Sequence, residues 1–163
     1  MTIPQYLDMI KLFCVTENIK KSSDVQLNYL VEEILLNSNK CYFNLSDFFC
    51  EQSEYIQKIS DKDKKVNKHS IKQIEDHLNL LFVSDNDTIG NVCFANSNEM
   101  RPEFRQTFTM IDVLDYYYAI LHSETFNEFS RNYDIGIPIT SDSKIFWKLV
   151  EIGKKIRIDE IKL

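Results

Sequence analysis

The chain has 163 residues, a length that suits one domain, or one domain with a small appendage. With 44% apolar and 12% aromatic residues there is material for a core, so disorder is excluded as the expectation. A formal net charge of -6 excludes non-specific nucleic-acid binding through bulk positive charge. Any DNA contact must be local or shared with a larger protein.

Thr2 and Gln5 have capping-box spacing, and Pro4 suits a first turn. Ile3, Tyr6, Leu7, Ile10, Phe13 and Cys14 then recur with helical period, which predicts a helix to about Asn18. Asp24 can cap a second helix with Leu27, Leu30, Val31, Ile34 and Leu35 on one face and Glu32 and Glu33 outside; Asn37 to Asn39 should end it. CYF (41–43) reads as a strand fragment. Ser46 starts a third amphipathic stretch carrying Phe48, Phe49, Cys50, Tyr55, Ile56 and Ile59, and short joints between such helices predict a small bundle.

Residues 60–69, SDKDKKVNKH, hold one apolar residue and four lysines with no period. They mark the expected boundary between an N-terminal helical part, 1–59, and a second region, 70–163. With two aspartates and no interleaved aromatic, the lysines read as a solvated linker. Ser70 and Gln73 offer a capping box for the next helix, with Ile71, Ile74, His77, Leu78 and Leu81 on its face. On that face His77 reads as a hydrogen-bonded core or edge residue. DNDTIGN (85–91) is a turn, and VCFA (92–95) is β-prone, either a hairpin partner for LFV (81–83) or an isolated extended segment. The expected fold is therefore mainly α, a helical bundle with at most a small β hairpin or extended segment near 80–95.

Thr109, with Asp112 three residues later, caps a helix in which Met110, Ile111, Val113, Leu114, Tyr117, Tyr118, Ile120 and Leu121 surround most of the circumference. At 100° per residue Asp112, Asp115, Ala119 and His122 share one stripe about 80° wide. A helix this apolar belongs inside a domain. Ser123 caps a following helix from Glu124 to about Tyr133, whose Phe126, Phe129 and Tyr133 pack back on the first. Arg101 and Arg105, just upstream, can pair with phosphates or with Asp112 and Asp115; the intramolecular pairing needs no ligand. Asp142 caps a terminal helix with Ile145, Phe146, Leu149, Ile152 and Ile156 on one side and Lys144, Lys148, Lys154, Lys155 and Arg157 on the other. The expected structural core is Ile111, Leu114, Tyr117, Tyr118, Leu121, Phe126, Phe129, Phe146 and Trp147.

DVLDYYYAILHSETFNEFSRNY, followed by IGIPIT and FWKLVEIGKKIR, resembles the C-terminal specificity region of type ISP and related type IIG restriction-modification enzymes. In those proteins a tyrosine-rich helix pair leads into a PRIP turn and a final FW-x-LV-x-LG helix. NVCFANSNEMRPEFRQTF and IKQIEDHLNLLF are similar to the family's lead-in, so the resemblance covers roughly residues 70–163. It implies a DNA target-recognition module whose methylation and cleavage reside elsewhere. Its partners would be duplex DNA and an associated methyltransferase-nuclease polypeptide. Arg101, Arg105, Lys144 and Lys148 are the expected phosphate contacts, which position rather than specify. One departure stands out: the family's Pro-Arg pair is Ile135-Gly136 here, so whatever a guanidinium does at that place is lost.

Catalytic machinery is missing from the residues themselves. Three glycines and three prolines, none adjacent, make neither a cofactor loop nor an Asn-Pro-Pro-aromatic motif. Glu160-Ile161-Lys162 has the letters of a nuclease acid-x-Lys, but no strand pattern surrounds it. His69, His77 and His122 are not spaced for zinc with Cys14, Cys41, Cys50 and Cys93, and no phosphate loop is present. The expectation is a non-enzyme with no cofactor and no metal. The other reading of the net acidity is a protein-binding adaptor, or an inhibitor of a bacterial defence system, that keeps the helical core but has exchanged DNA for a protein partner. The scattered thiols, the lack of an apolar run near the roughly 20 residues of a membrane span, and an N-terminus unlike a secretion signal lead us to expect a soluble, cytoplasmic bacterial protein.

Overall fold

The computed structural model describes residues 2–15, 24–37, 41–44, 67–84, 105–130 and 136–162. In chain order these form α1 (Ile3–Val15), α2 (Val25–Leu36), β1 (Cys41–Phe43), α3 (Lys68–Leu78), β2 (Leu81–Phe82), β3 (Thr107–Phe108), α4 (Met110–His122), α5 (Glu124–Ser130), β4 (Ile137–Ile139) and α6 (Ser143–Ile161). The fold is mainly helical, as composition and period predict. The third N-terminal helix expected from Ser46, the body of the 60–69 linker, VCFA, Arg101 and Tyr133 lie outside the described residues.

Local hydrogen bonds set the helix starts. Thr2 and Gln5 form their capping box before α1, with the Thr2 N–H donating to Gln5 Oε1 at 2.9 Å. Asp24 accepts from the Leu27 N–H at 3.0 Å, and Asp142 accepts from the Lys144 N–H at 2.7 Å. At α4 the box is reciprocal: the Thr109 N–H donates to Asp112 Oδ2 at 2.8 Å while Thr109 Oγ1 accepts from the Asp112 N–H at 3.3 Å. α3 differs from expectation, because Asn67 and not Ser70 is its cap, accepting from His69 N–H at 3.0 Å. An asparagine caps as well as a serine. The helix thus starts earlier, taking Lys68 and His69 out of the expected linker and burying Ser70. It ends at Asn79, whose left-handed φ of 53° is one that asparagine tolerates.

α4 and α6 form the centre. Gly153 of α6 faces α4 so closely that a Cβ there would lie 1.9 Å from the Asp115 carbonyl oxygen. That approach stacks Tyr116 on Phe146 at 5.1 Å and lets Phe146 meet Trp147 and Phe108 edge-on. Tyr116 and Tyr118 are both 0% exposed. Of the predicted core, Leu114, Tyr118, Phe126, Phe146 and Trp147 are buried, while Ile111, Tyr117, Leu121 and Phe129 are half-buried. α1 packs on α4, and α2 packs on α5 and α6, in one continuous cluster. Asn28 of α2 fixes the start of α5, its Oδ1 accepting from Ser123 Oγ at 2.8 Å and from the Thr125 N–H at 3.3 Å.

The strands are short clasps between distant parts of the chain. β1 pairs antiparallel with β4, Cys41 opposite Ile139 and Phe43 opposite Ile137. Gly136 abuts β1, where a Cβ would meet the Phe43 carbonyl carbon and oxygen at 2.6 Å. β2 pairs in parallel with β3, so Leu81 and Phe82 take Thr107 and Phe108 as partners; VCFA, the other segment weighed for this pairing, lies outside the described residues.

Candidate nucleic-acid interface

The polar stripe of α4 faces inward. Asp115, 1% exposed, accepts from the Tyr6 hydroxyl at 2.7 Å, from Arg157 Nε at 2.7 Å and from Arg157 Nη2 at 2.9 Å. Among the described residues the ion-pair partner of this carboxylate is Arg157, not Arg105, carried to it by the close approach at Gly153 one helical turn earlier; Arg101 lies outside the described residues. The guanidinium also lies 5.1 Å over the Tyr6 ring. One turn further on, the Tyr118 hydroxyl donates to Glu160 Oε2, and His122 is 3.4 Å from Glu160 Oε1 and 2.9 Å from the Tyr118 carbonyl. Phe13 stacks on the His122 ring at 4.2 Å. Donors and acceptors meet one another throughout this network, so it locks α1 and α6 onto α4.

Asp112 is occupied by its capping box. Burial pushes its carboxyl up from the usual value, opposed by the Thr109 hydrogen bonds and the charge of Arg105. Nothing in the sequence singled out Arg157 as Asp115's partner. The usable signal was Gly153, a glycine inside a helical pattern that marks a close approach, with Arg157 four residues on along the same face.

The predicted phosphate contacts divide by place. Arg105 is half-buried with its guanidinium 5.3 Å over the Trp147 ring, which ties it to the N-terminal half of α6. Trp147 is itself buried. Lys144 and Lys148 are exposed on that same half, four residues apart and so on one stripe, and among the described residues neither makes an ion pair. Lys155 and Lys162 continue the stripe, interrupted by Glu151 and Asp159. The structure thus brings Arg105 to the helix that carries Lys144 and Lys148, while Arg101 lies outside the described residues. No group of three or more His, Cys, Asp or Glu side chains that could hold a metal occurs among the described residues, and no helix there is long and apolar enough to cross a membrane.

An aromatic α4–α5 pair that leads through the Ile137-Pro138 strand into a terminal Phe-Trp helix is the arrangement expected of a restriction-modification specificity region. The chain belongs to the type ISP C-terminal specificity domain family, whose model matches residues 22–158. The match begins well before residue 70, where the resemblance read from the residues starts, so α2 and β1 lie inside the family's span. No curated protein and no solved structure matches the chain.

Proposed function

We propose that this chain is a DNA target-recognition module of a restriction-modification system, with no catalytic activity of its own. It would act within or beside a methyltransferase-nuclease polypeptide that supplies methylation and cleavage. The family match over most of the chain carries this reading. The exposed lysines of α6 support it, because a protein of net charge -6 needs a local cationic edge to meet phosphates. Lys144 and Lys148, with Arg105 and Arg101, are the proposed backbone contacts, and they orient the module on the duplex without reading its sequence. Fluorescence anisotropy with duplex DNA at low and moderate salt tests the proposal, with and without the methyltransferase-nuclease polypeptide. Absence of binding at low salt in both arrangements overturns it.

A protein-binding reading draws on the outer face of α2, where Val25, Tyr29 and Leu36 are exposed around Glu32 and Glu33. An adaptor, or an inhibitor of a bacterial defence system, would use such a face. A partner that survives nuclease treatment in a pull-down favours it; recovery of DNA-bridged proteins alone disposes of it.

A further inference from the structure

Cys41 and His77 meet at the margin of the core, where Cys41 packs against the buried cluster, in a contact that the proposed phosphate binding does not use. Cys41 Sγ lies 3.4 Å from His77 Nδ1, and His77 Nε2 lies 3.0 Å from the carbonyl oxygen of Ile139. A carbonyl only accepts, so Nε2 carries a proton, and Nδ1 is the ring nitrogen left facing the thiol. Cys41 and Ile139 are directly opposed in the β1–β4 ladder, so one imidazole from α3 bridges both members of a strand pair. Both residues are half-buried, so the thiol is neither sealed in the core nor wholly in solvent.

We infer that Cys41 and His77 form a thiol modification site for soft electrophiles, specifically low-molecular-weight disulfides. The arrangement has the parts that activate a thiol: a nucleophile, a base within hydrogen-bond reach, and a third group that fixes the base. The Cys41 sulfur attacks one sulfur of the disulfide as its proton passes to His77 Nδ1. The disulfide bond breaks, a Cys41 mixed disulfide forms, and the departing thiolate takes up a proton to leave as thiol. The incoming disulfide is the oxidant, and no other reagent is consumed. The adduct occupies the side of Sγ that met Nδ1, so modification releases His77 from β1 and loosens its hold on Ile139. This inference is independent of DNA binding.

Cys14 is the internal control, exposed on α1 with burial of its sulfur environment pushing its thiol up. The intact chain is incubated with oxidised glutathione, quenched in acid and digested, and the mixed disulfide at each cysteine is quantified by mass spectrometry. Cys41 is expected to react faster than Cys14 by on the order of tenfold, less than a positioned base supplies in full. His77→Gln keeps an N–H for the Ile139 carbonyl but removes the base, and should erase the Cys41 advantage while leaving Cys14 unchanged. Equal native rates at the two cysteines overturn the inference without recourse to any variant. An undiminished Cys41 rate in folded His77→Gln, checked by thermal denaturation, overturns it as well.

Discussion

Arg157 grips Asp115 at two points, Nε to Oδ1 at 2.7 Å and Nη2 to Oδ2 at 2.9 Å, 42 residues apart in the chain. The Asp115 side chain is 2% exposed and that of Arg157 14%, so neither charge is compensated by water once the other is removed. Asp115→Asn should destabilise the fold by about 3–5 kcal/mol, the usual effect of orphaning one partner of a buried pair. Urea unfolding measures the loss. Asp115→Asn combined with Arg157→Gln should lose less than the sum of the single changes, because the pair acts as a unit. Additive losses would show that the contact contributes nothing beyond packing.

Gly153 makes that grip geometrically available. Gly→Ala in a helix interior ordinarily stabilises by about 0.5–1 kcal/mol. Here the added methyl would sit 1.9 Å from a backbone oxygen of α4, which cannot rotate away. Gly153→Ala should therefore have the opposite sign and destabilise by about 1–3 kcal/mol through overpacking. A fall in thermal midpoint is the expected result, and a rise would mean that α6 is not held against α4 at this point.

Three buried phenols make the fold sensitive to alkali. Tyr116 is pushed well above the ordinary tyrosine value of 10.0 by burial, with only the Thr140 N–H opposing. Tyr6 is raised by burial and then by the Asp115 charge, and Tyr118 by burial and then by its hydrogen bond to Glu160. Above the ordinary value the unfolded chain releases these protons while the folded chain keeps them. The folded state then binds more protons, and stability falls as pH rises; below it the three phenols contribute no pH dependence. Tyr116 alone supplies a slope of about 1.4 kcal/mol per pH unit. Tyr116→Phe should flatten the alkaline slope measured by urea unfolding. At neutral pH the same change should cost about 1–3 kcal/mol, because it strips the Thr140 N–H and the Pro138 carbonyl of the hydroxyl they share.

Caps and buried faces are legible in the residues because each is settled within a turn or two of helix. Thr109 with Asp112, Asp24 and Asp142 all cap where their spacing predicts. Partner choice across the core is not legible in this way. The 100° period puts Asp112, Asp115 and His122 on one stripe, but whether that stripe meets water or another helix depends on Tyr6, 109 residues away from Asp115, and on the far end of α6. The basic residues show the same limit. Composition marks Arg105, Lys144 and Lys148 as candidates, while the stacking of Arg105 on Trp147 that gathers them depends on tertiary contact.

Gly136 carries a packing constraint that is legible only in three dimensions. It stands where the sequence resemblance leads one to expect an arginine, and the Phe43 backbone lies 2.6 Å from the place of its missing Cβ. A side chain there must push β1 off β4. Gly136→Ala should destabilise by about 1–3 kcal/mol. Hydrogen exchange at the amides of Cys41–Phe43 and Ile137–Ile139 should accelerate with it, and unchanged protection of both strands would count against this account.

The lysines of α6 give the most direct reading of the proposed function. Each ammonium that neutralises a phosphate releases condensed counterion, so the slope of log affinity against log salt records the number of such contacts, about 0.9 per phosphate on B-form DNA. Lys144→Gln with Lys148→Gln should weaken binding and make that slope shallower by about two such contacts. Both side chains are exposed and project from a capped helix, so the double variant should melt at the native temperature. Because phosphates carry no sequence information, the loss should be uniform across duplexes of different sequence. Anisotropy over a salt series with two unrelated duplexes makes the measurement. An unchanged slope would remove this face of α6 from the interface, and a loss confined to one duplex would make these lysines base readers.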